Sequence, residues 1–398
     1  MSMAKFGLIG HPLSHSKSPF IHHFFLGKEY SLLDIQEREL KSFLAEDQDL
    51  NVTIPYKEKV IPFLKNLSPE AREIGAVNTI HHRVGYNTDA SGFADCLKAH
   101  GFKAKDKNVL VFGTGGASKA ISYILRQEGA NVQLVSRYKK ENTILYDEIG
   151  KVNYQAVVNC TPLGMYPNMN ESIAKYLDFS RMEWLVDIVA NPLRTKLLQE
   201  AGCPSIGGLE MLVRQAAKAD EIFSGKMISE EEIQACLRAL CFEQRNIVFI
   251  GMAMAGKSTI AKAFDAQTVE MDEIIVEQEG LSISRLFQEK GEAYFRKKEL
   301  EVAKEVSRLN HQVISTGGGV ILNEEAMTYL RANGLLVWVK RDIDRMILEN
   351  NRPLYASKED LYRVYQERKE RYAYYADVEL DNNRSIEEAI VSLKEKLK

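Results

Sequence analysis

The sequence predicts an α/β protein built on parallel sheets, and three observations carry that reading. Strand-like and helix-like segments alternate along the chain. "NVLVFGTGGASKAISYILRQEGANVQLVSRYKK" (108–140) reads as a strand, a glycine turn, a helix and a second strand. "NIVFIGMAMAGKSTIAKAF" (246–264) reads as an apolar strand, a glycine-bounded loop and a helix. In both, the glycines let a backbone turn bring a helix N-terminus up to a phosphate.

Length and composition bound the rest. At roughly 150 residues per domain, 398 residues predict about two or three domains. Hydrophobic residues at 45% and charged residues at 27% suit domains that bury real cores. The net charge of −3 supplies no global basic field, so nucleic acid is not an expected partner. Cys96, Cys160, Cys203, Cys236 and Cys241 are scattered and never spaced as CxxC, which argues for a reducing, cytoplasmic setting and against structural zinc. The start "MSMAKFGLIGHPL" is too weakly apolar for a signal peptide, and no 18-residue apolar stretch predicts a membrane span. The histidine pairs at 22–23 and 81–82 lack neighbouring carboxylates or cysteines at ligand spacing, so no metal is expected there.

The first element carrying chemistry is "HPLSHSKSPFIHHFF" (11–25), with Ser14, Ser16 and Ser18 ahead of a helix that Pro19 can begin. "NVTIPYKEKV" (51–60) follows a strand with Thr53 and Lys57, "GAVNTI" supplies Asn78, and "GYNTDASGF" supplies Asn87 and Asp89. Hydroxyls, an amide, a lysine and a carboxylate are what a polyhydroxy-acid substrate requires. In the next element Gly113 and Gly115 fit the first two glycines of a dinucleotide fingerprint; Gly116 and Ala117 follow, and Ser118 replaces the third small residue. The second strand ends in Ser136-Arg137, with Lys139 and Lys140 beyond and no acidic residue. That favours a 2′-phosphate, hence NADP(H). "GLEMLVRQAAKADEIF" (208–223) and "SEEEIQACLRAL" (229–240) read as amphipathic helices, the second opened by a Ser229/Glu232 capping box. "CFEQR" separates that helix from the strand at Asn246, so a boundary is expected near 241–245 without a flexible tether.

From Gly251 the loop has the GxxxxGK[ST] form. Its backbone amides, through Ala255 and Gly256 to Thr259, wrap a phosphate chain. Lys257 meets the β- and γ-phosphates, and the Ser258 hydroxyl holds Mg²⁺; the loop alone would serve a GTPase, an ATPase or a kinase. "VEMDEIIVEQEG" then offers Glu270 and Asp272, "GEAYFRKKE" offers Arg296 opening a helical run, and "ISTGGGVI" ends a strand in Gly317, Gly318 and Gly319. "NNRPLY" offers Arg352, and "RKERYAYYAD" offers Arg368.

Two family resemblances follow from these motifs in this order. Residues 246–380 resemble shikimate kinase. The resemblance implies that Asp272 binds the acceptor hydroxyls and orients the attacking oxygen, and that Arg296 and Arg368 clamp the substrate carboxylate. It further implies that Gly317–Gly319 admit the substrate ring, that Arg352 reaches the transferred phosphate from a lid near 345–358, and that Glu270 helps place Mg²⁺ through water. The family loop commonly has glycine where this chain has Met254; if that position needs φ > 0, methionine costs about 1–2 kcal/mol.

Residues of about 5–225 resemble shikimate dehydrogenase, adding "NCTPLGM" (159–165), "DIVANPLRTKLL" (187–198) and "GLEMLVRQ" with Gln215. The resemblance implies that Lys57 and Asp89 are the catalytic pair, and that Ser16, Ser18, Thr53, Asn78 and Gln215 hold the substrate carboxylate and hydroxyls. Ala90 and Ala190 depart from the glycine and tyrosine the family often shows. The implied fold is a two-lobed dehydrogenase over 1–242, with a substrate lobe of 1–95 plus 206–240 and a Rossmann-type dinucleotide lobe of 96–205. It is followed over 245–398 by a P-loop, nucleoside-monophosphate-kinase-like parallel sheet with helices. The implied substrates are 3-dehydroshikimate and shikimate. Ala190 leaves open a quinate- or NAD-preferring dehydrogenase, and Met254 leaves open a nucleotide-sensing module that transfers no phosphate.

Overall fold

Six parallel strands surround the glycine turn expected at 113–116. In spatial order they are Ser205–Gly207, Trp184–Asp187, Ala156–Asn159, Asn108–Phe112, Asn131–Ser136 and Thr143–Leu145. Numbered along the chain, that is the order 3-2-1-4-5-6 of a doubly wound nucleotide-binding sheet, with its crevice where the order reverses beside Asn108–Phe112. The central strands Asn108–Phe112, Ala156–Asn159 and Trp184–Asp187 are buried almost throughout and rich in Val and Leu, as strands of a parallel sheet covered on both faces are. The computed structural model describes residues 6–13, 16–347 and 357–397. The chain divides into two units, Met1–Leu240 and Cys241–Lys398.

The first unit contains a second six-stranded sheet, ordered Ser31–Asp34, Phe6–Gly10, Asp49–Val52, Thr79–His81, Val84–Tyr86 and Asn66–Leu67. Here the expectation of parallel pairing needs correction. Thr79–His81 runs antiparallel to both Asp49–Val52 and Val84–Tyr86. The pairing with Val84–Tyr86 has a local cause: His82 (φ 49°) and Arg83 (φ 62°) form a two-residue turn in the left-handed region, the geometry that folds adjacent strands into a hairpin. The helix Gly208–Ser224 packs on the helices Ser18–Leu26 and Thr88–Ala99. A Cβ on Gly92 would lie 2.7–2.9 Å from Gln215 backbone and Cβ atoms, so that glycine sets how closely the helices approach.

The second unit is built on five parallel strands, ordered Val269–Glu270, Val313–Ser315, Asn246–Ile250, Gly334–Lys340 and Val378–Asp381. Val248, Phe249, Ile250, Leu336 and Val337 fill its core, which leaves the loop after Ile250 at the carboxyl end of the central strand. The helix expected over 229–240 extends from Glu230 to Gln244, so Arg245 alone separates it from the strand at Asn246. "CFEQ" contains neither glycine nor proline to stop the helix, and its residues continue the helical run. No helix among the described residues is long and apolar enough to cross a membrane.

Candidate active sites

In the first unit a cavity of about 200 Å³ gathers residues from six separate stretches of sequence. Ser16, Ser18, Thr53, Lys57, Asn78, Asp89 and Gln215 all line it. Lys57 Nζ lies 2.6 Å from Asp89 Oδ2, with the two side chains only 17% and 9% exposed. Asp89 enters through the first turn of the helix Thr88–Ala99, whose N-cap is Asn87: its side chain accepts from the Ala90 amide. Asn78 Nδ2 donates to the second Asp89 oxygen at 3.0 Å and to Gln215 Oε1 at 3.1 Å, while its own oxygen accepts from the Thr88 amide at 2.7 Å. Thr88, which the motif reading passed over, thus fixes the orientation of the Asn78 amide. Ser16 Oγ accepts from the Ser18 amide at 3.1 Å, in the turn that starts the helix Ser18–Leu26. His22 on that helix meets Asp220 at 2.6 Å, both fully buried, and ties it to the helix carrying Gln215.

The dinucleotide turn forms another wall. Ala117 lines the cavity, and a Cβ on Gly116 would lie 3.2 Å from Lys57 Cδ. Gly113 has φ 105°, and a Cβ there would lie 3.0 Å from Cys160 O, so the position suits glycine. Ser118 Oγ donates back to Gly113 O at 2.8 Å. Ser136 is buried at the end of its strand; Arg137 is exposed, and Lys140 Nζ reaches Thr114 Oγ1 in the glycine turn at 2.8 Å. A cationic rim beside a glycine turn, with no carboxylate at the strand end, fits NADP(H). Ile188 and Ala190 complete the cavity from the loop after Trp184–Asp187. Asp187 anchors that loop by accepting from Val189 N, Asn159 Nδ2 and Thr195 Oγ1. Burial pushes its carboxyl up to about 6 against those hydrogen bonds.

In the second unit Met254 (φ 63°) and Gly256 (φ 87°) both take left-handed conformations inside the phosphate loop. Lys257 is buried with Nζ on Met252 O at 2.9 Å, and Ser258 and Thr259 open the helix Lys257–Phe264. Gly251 needs φ 145°, and Ala255 is fully buried in the loop. Ser258 Oγ donates to Glu270 Oε2 at 3.0 Å and lies 3.2 Å from Ser315 Oγ. These hard oxygen donors beside the loop fit Mg²⁺, which keeps much of its shell as water and phosphate.

Asp272, Arg296, Arg368 and the three glycines converge at the carboxyl end of the same sheet. A break at Gly291 (φ 82°, ψ 167°) divides the helical stretch Ile283–Val306, and Arg296 lies in the helical run that opens after it. A Cβ on Gly317 would lie 2.9 Å from Asp272 Oδ1, and one on Gly319 would lie 2.2–2.6 Å from the Arg296 guanidinium. Gly318 O accepts from Arg368 Nη1 at 3.2 Å and from the Tyr372 hydroxyl. The sequence reading missed Glu299, which pairs with Arg296 at 2.9 Å and is 1% exposed. Burial pushes its carboxyl up to about 7; Arg296 opposes the rise and Asp272 adds to it. Its one signal is spacing, three residues beyond Arg296 on the same helix face. Arg352 and most of the expected lid lie outside the described residues.

Comparison with known proteins adds family to geometry. Residues 8–80 match the family model of the shikimate dehydrogenase substrate binding domain. The chain is 37% identical over 248 residues to shikimate dehydrogenase (NADP(+)) of Clostridium beijerinckii, spanning 56% of this chain and 92% of that one. The chain belongs to the shikimate dehydrogenase family. The NADP(+) shikimate dehydrogenase of Methanococcus maripaludis is 36% identical over 255 residues, 55% of this chain and 91% of that one. Among solved structures, the chorismate mutase/shikimate 5-dehydrogenase fusion protein from Clostridium acetobutylicum superposes with a TM-score of 0.56 at 33% identity, over 60% of this chain and 98% of that one. The shikimate dehydrogenase of Thermus thermophilus, solved with NADP(H) and shikimate, gives 0.52 at 31% identity, over 60% and 99%. Residues 253–398 match the family model of shikimate kinase.

Proposed function

We propose that the chain performs two consecutive reactions: reduction of 3-dehydroshikimate to shikimate with NADPH, then phosphorylation of shikimate to shikimate 3-phosphate with Mg-ATP. The observation that carries the first step is the Lys57–Asp89 pair, 2.6 Å apart on a polar cavity wall shared with the dinucleotide turn. NADPH bound along that turn supplies the hydride. Lys57 gives a proton to the carbonyl oxygen as the carbon is reduced, and its positive charge stabilises the developing alkoxide. Asp89 holds Lys57 in place and accepts from a substrate hydroxyl. Ser16, Ser18, Thr53, Asn78 and Gln215 bind the carboxylate and remaining hydroxyls. Gly113, Gly115, Gly116, Ala117 and Ser118 line the pyrophosphate, and Ser136, Arg137 and Lys140 face the 2′-phosphate.

In the second unit Arg296 and Arg368 hold the substrate carboxylate, and Asp272 orients the hydroxyl that attacks. Lys257 and the loop amides hold the phosphates, while Ser258 and Glu270 hold Mg²⁺, the latter through water. Arg352 is assigned to the transferred phosphate from the resemblance alone. Five cysteines, none of them in a disulfide among the described residues, support placing the enzyme in the reducing cytoplasm.

One incubation tests the reading. The full chain is supplied with 3-dehydroshikimate, NADPH, Mg²⁺ and ATP, each cofactor is omitted in turn, and products are followed by mass spectrometry. Shikimate 3-phosphate formed only with both cofactors present is expected. Shikimate that accumulates without phosphorylation would instead favour the nucleotide-sensing alternative for the second unit.

A further inference from the structure

Arg341 stands immediately after the strand Gly334–Lys340, next to the strand that feeds the phosphate loop. Its Nη1 lies 3.6 Å from where a Cβ on Gly256 would sit, so the guanidinium is packed against the turn that precedes Lys257. Neighbouring cations have carboxylates: Lys340 pairs with Glu379 at 3.0 Å, Arg345 with Asp342 at 3.9 Å and Arg384 with Glu388 at 3.8 Å. Arg341 forms no ion pair among the described residues, and its Nε is buried without a hydrogen-bond partner among them. A partly buried guanidinium lacking an anion is costly, and such a cost persists where a ligand supplies the anion.

The loop beside it is held in a fixed shape. Asn382, buried after the strand Val378–Asp381, donates from Nδ2 to Ala255 O at 2.8 Å. Its own amide is tied to Lys340 O at 2.8 Å. A Cβ on Gly256 would come within 2.5 Å of Asn382 Nδ2. Arg341 and Asn382 therefore flank the same glycine from adjacent strand ends, one carrying charge and the other bracing the backbone.

We propose that Arg341 is a second nucleotide-binding cation, contacting the polyphosphate of ATP beside the Gly256–Lys257 amides. The guanidinium fork suits phosphate oxygens, and its position adds charge where Lys257 is the cation supplied by the loop itself. The assignment rests on the reading of this unit as a nucleotide-dependent kinase.

The test is calorimetric titration of the full chain with Mg-ATP and, separately, with magnesium tripolyphosphate, which has no base or sugar. Arg341→Ala is expected to weaken both by about 10–100-fold, as loss of a charge-assisted hydrogen-bonding partner does. Arg341→Lys, which keeps the charge, is expected to recover part of the loss and guards against a folding defect in the alanine variant. Unchanged ATP affinity in Arg341→Ala would overturn the proposal. So would weakened ATP with unchanged tripolyphosphate, which would place the guanidinium on the base or sugar. Failure of the unsubstituted chain to bind ATP would overturn the kinase reading itself and the assignment with it. ATP binding without tripolyphosphate binding would overturn the assignment alone.

Discussion

Glu299 has its ionised form disfavoured by burial more than Arg296 favours it, leaving its carboxyl raised from 4.5 to about 7. A carboxyl raised in the folded state is protonated in both states at low pH and costs nothing there. As pH rises the unfolded chain ionises first, so stability is lost between about 4.5 and about 7 and stays lost above. The shift corresponds to a cost on the order of 3 kcal/mol above pH 7. Glu299→Gln removes this titration. In thermal melts the stability of Glu299→Gln relative to the unsubstituted chain should therefore improve as pH goes from 5 to 8, whatever the offset at pH 5. A difference that does not change with pH would mean that Glu299 titrates normally. The same scale shows what sequence alone conveys. Lys57 and Asp89 stand in motifs whose resemblance to a known family marks them, whereas Glu299 lies in the charged run "FRKKELE", where only tertiary packing decides which carboxylate is buried. The strain anticipated at Met254 is present, since φ is 63° and a non-glycine residue there costs about 1–2 kcal/mol.

Among the elements, the glycine turn at 317–319 shapes the substrate side of the second unit. The 317–319 turn exists to let side chains in: Asp272 and Glu299 crowd Gly317, and the Arg296 guanidinium occupies the space a Cβ on Gly319 would need. Gly319→Ala should thus displace Arg296 and raise the KM for shikimate at least about 10-fold, consistent with loss of a charged contact, with the KM for ATP little changed. Equal changes in both constants would mean that the turn supports the whole fold rather than the substrate side. The glycine turns at 113–116 and 251–256 were legible in the sequence because each joins an apolar strand to a helical pattern with glycine at fixed offsets. The helix end at Gln244 was missed, although "CFEQ" holds neither glycine nor proline to stop the helix sooner. The His82–Arg83 turn was also hidden, because neither residue is one of the usual carriers of positive φ in a two-residue hairpin.

Over the whole molecule, each unit carries a site assembled from distant stretches. In the first unit Ser16 and Gln215 reach one cavity although some 200 residues part them; in the second Asp272 and Arg368 flank one triple-glycine turn. The residue types in each stretch were readable one at a time, but their convergence depends on sheet order and on contacts such as Gly92 against Gln215, which no local pattern encodes. Chemistry links the two reactions, since the hydroxyl made by the first is the acceptor of the second. We assign the two reactions to separate residues. The decisive measurement assays Lys57→Ala and Asp272→Asn for each half-reaction, with 3-dehydroshikimate plus NADPH and with added shikimate plus Mg-ATP. Lys57→Ala should lose about 10²–10⁴-fold in reduction and keep phosphorylation, and Asp272→Asn should do the reverse. Both activities falling together in either variant would mean that the two reactions do not use separate residues.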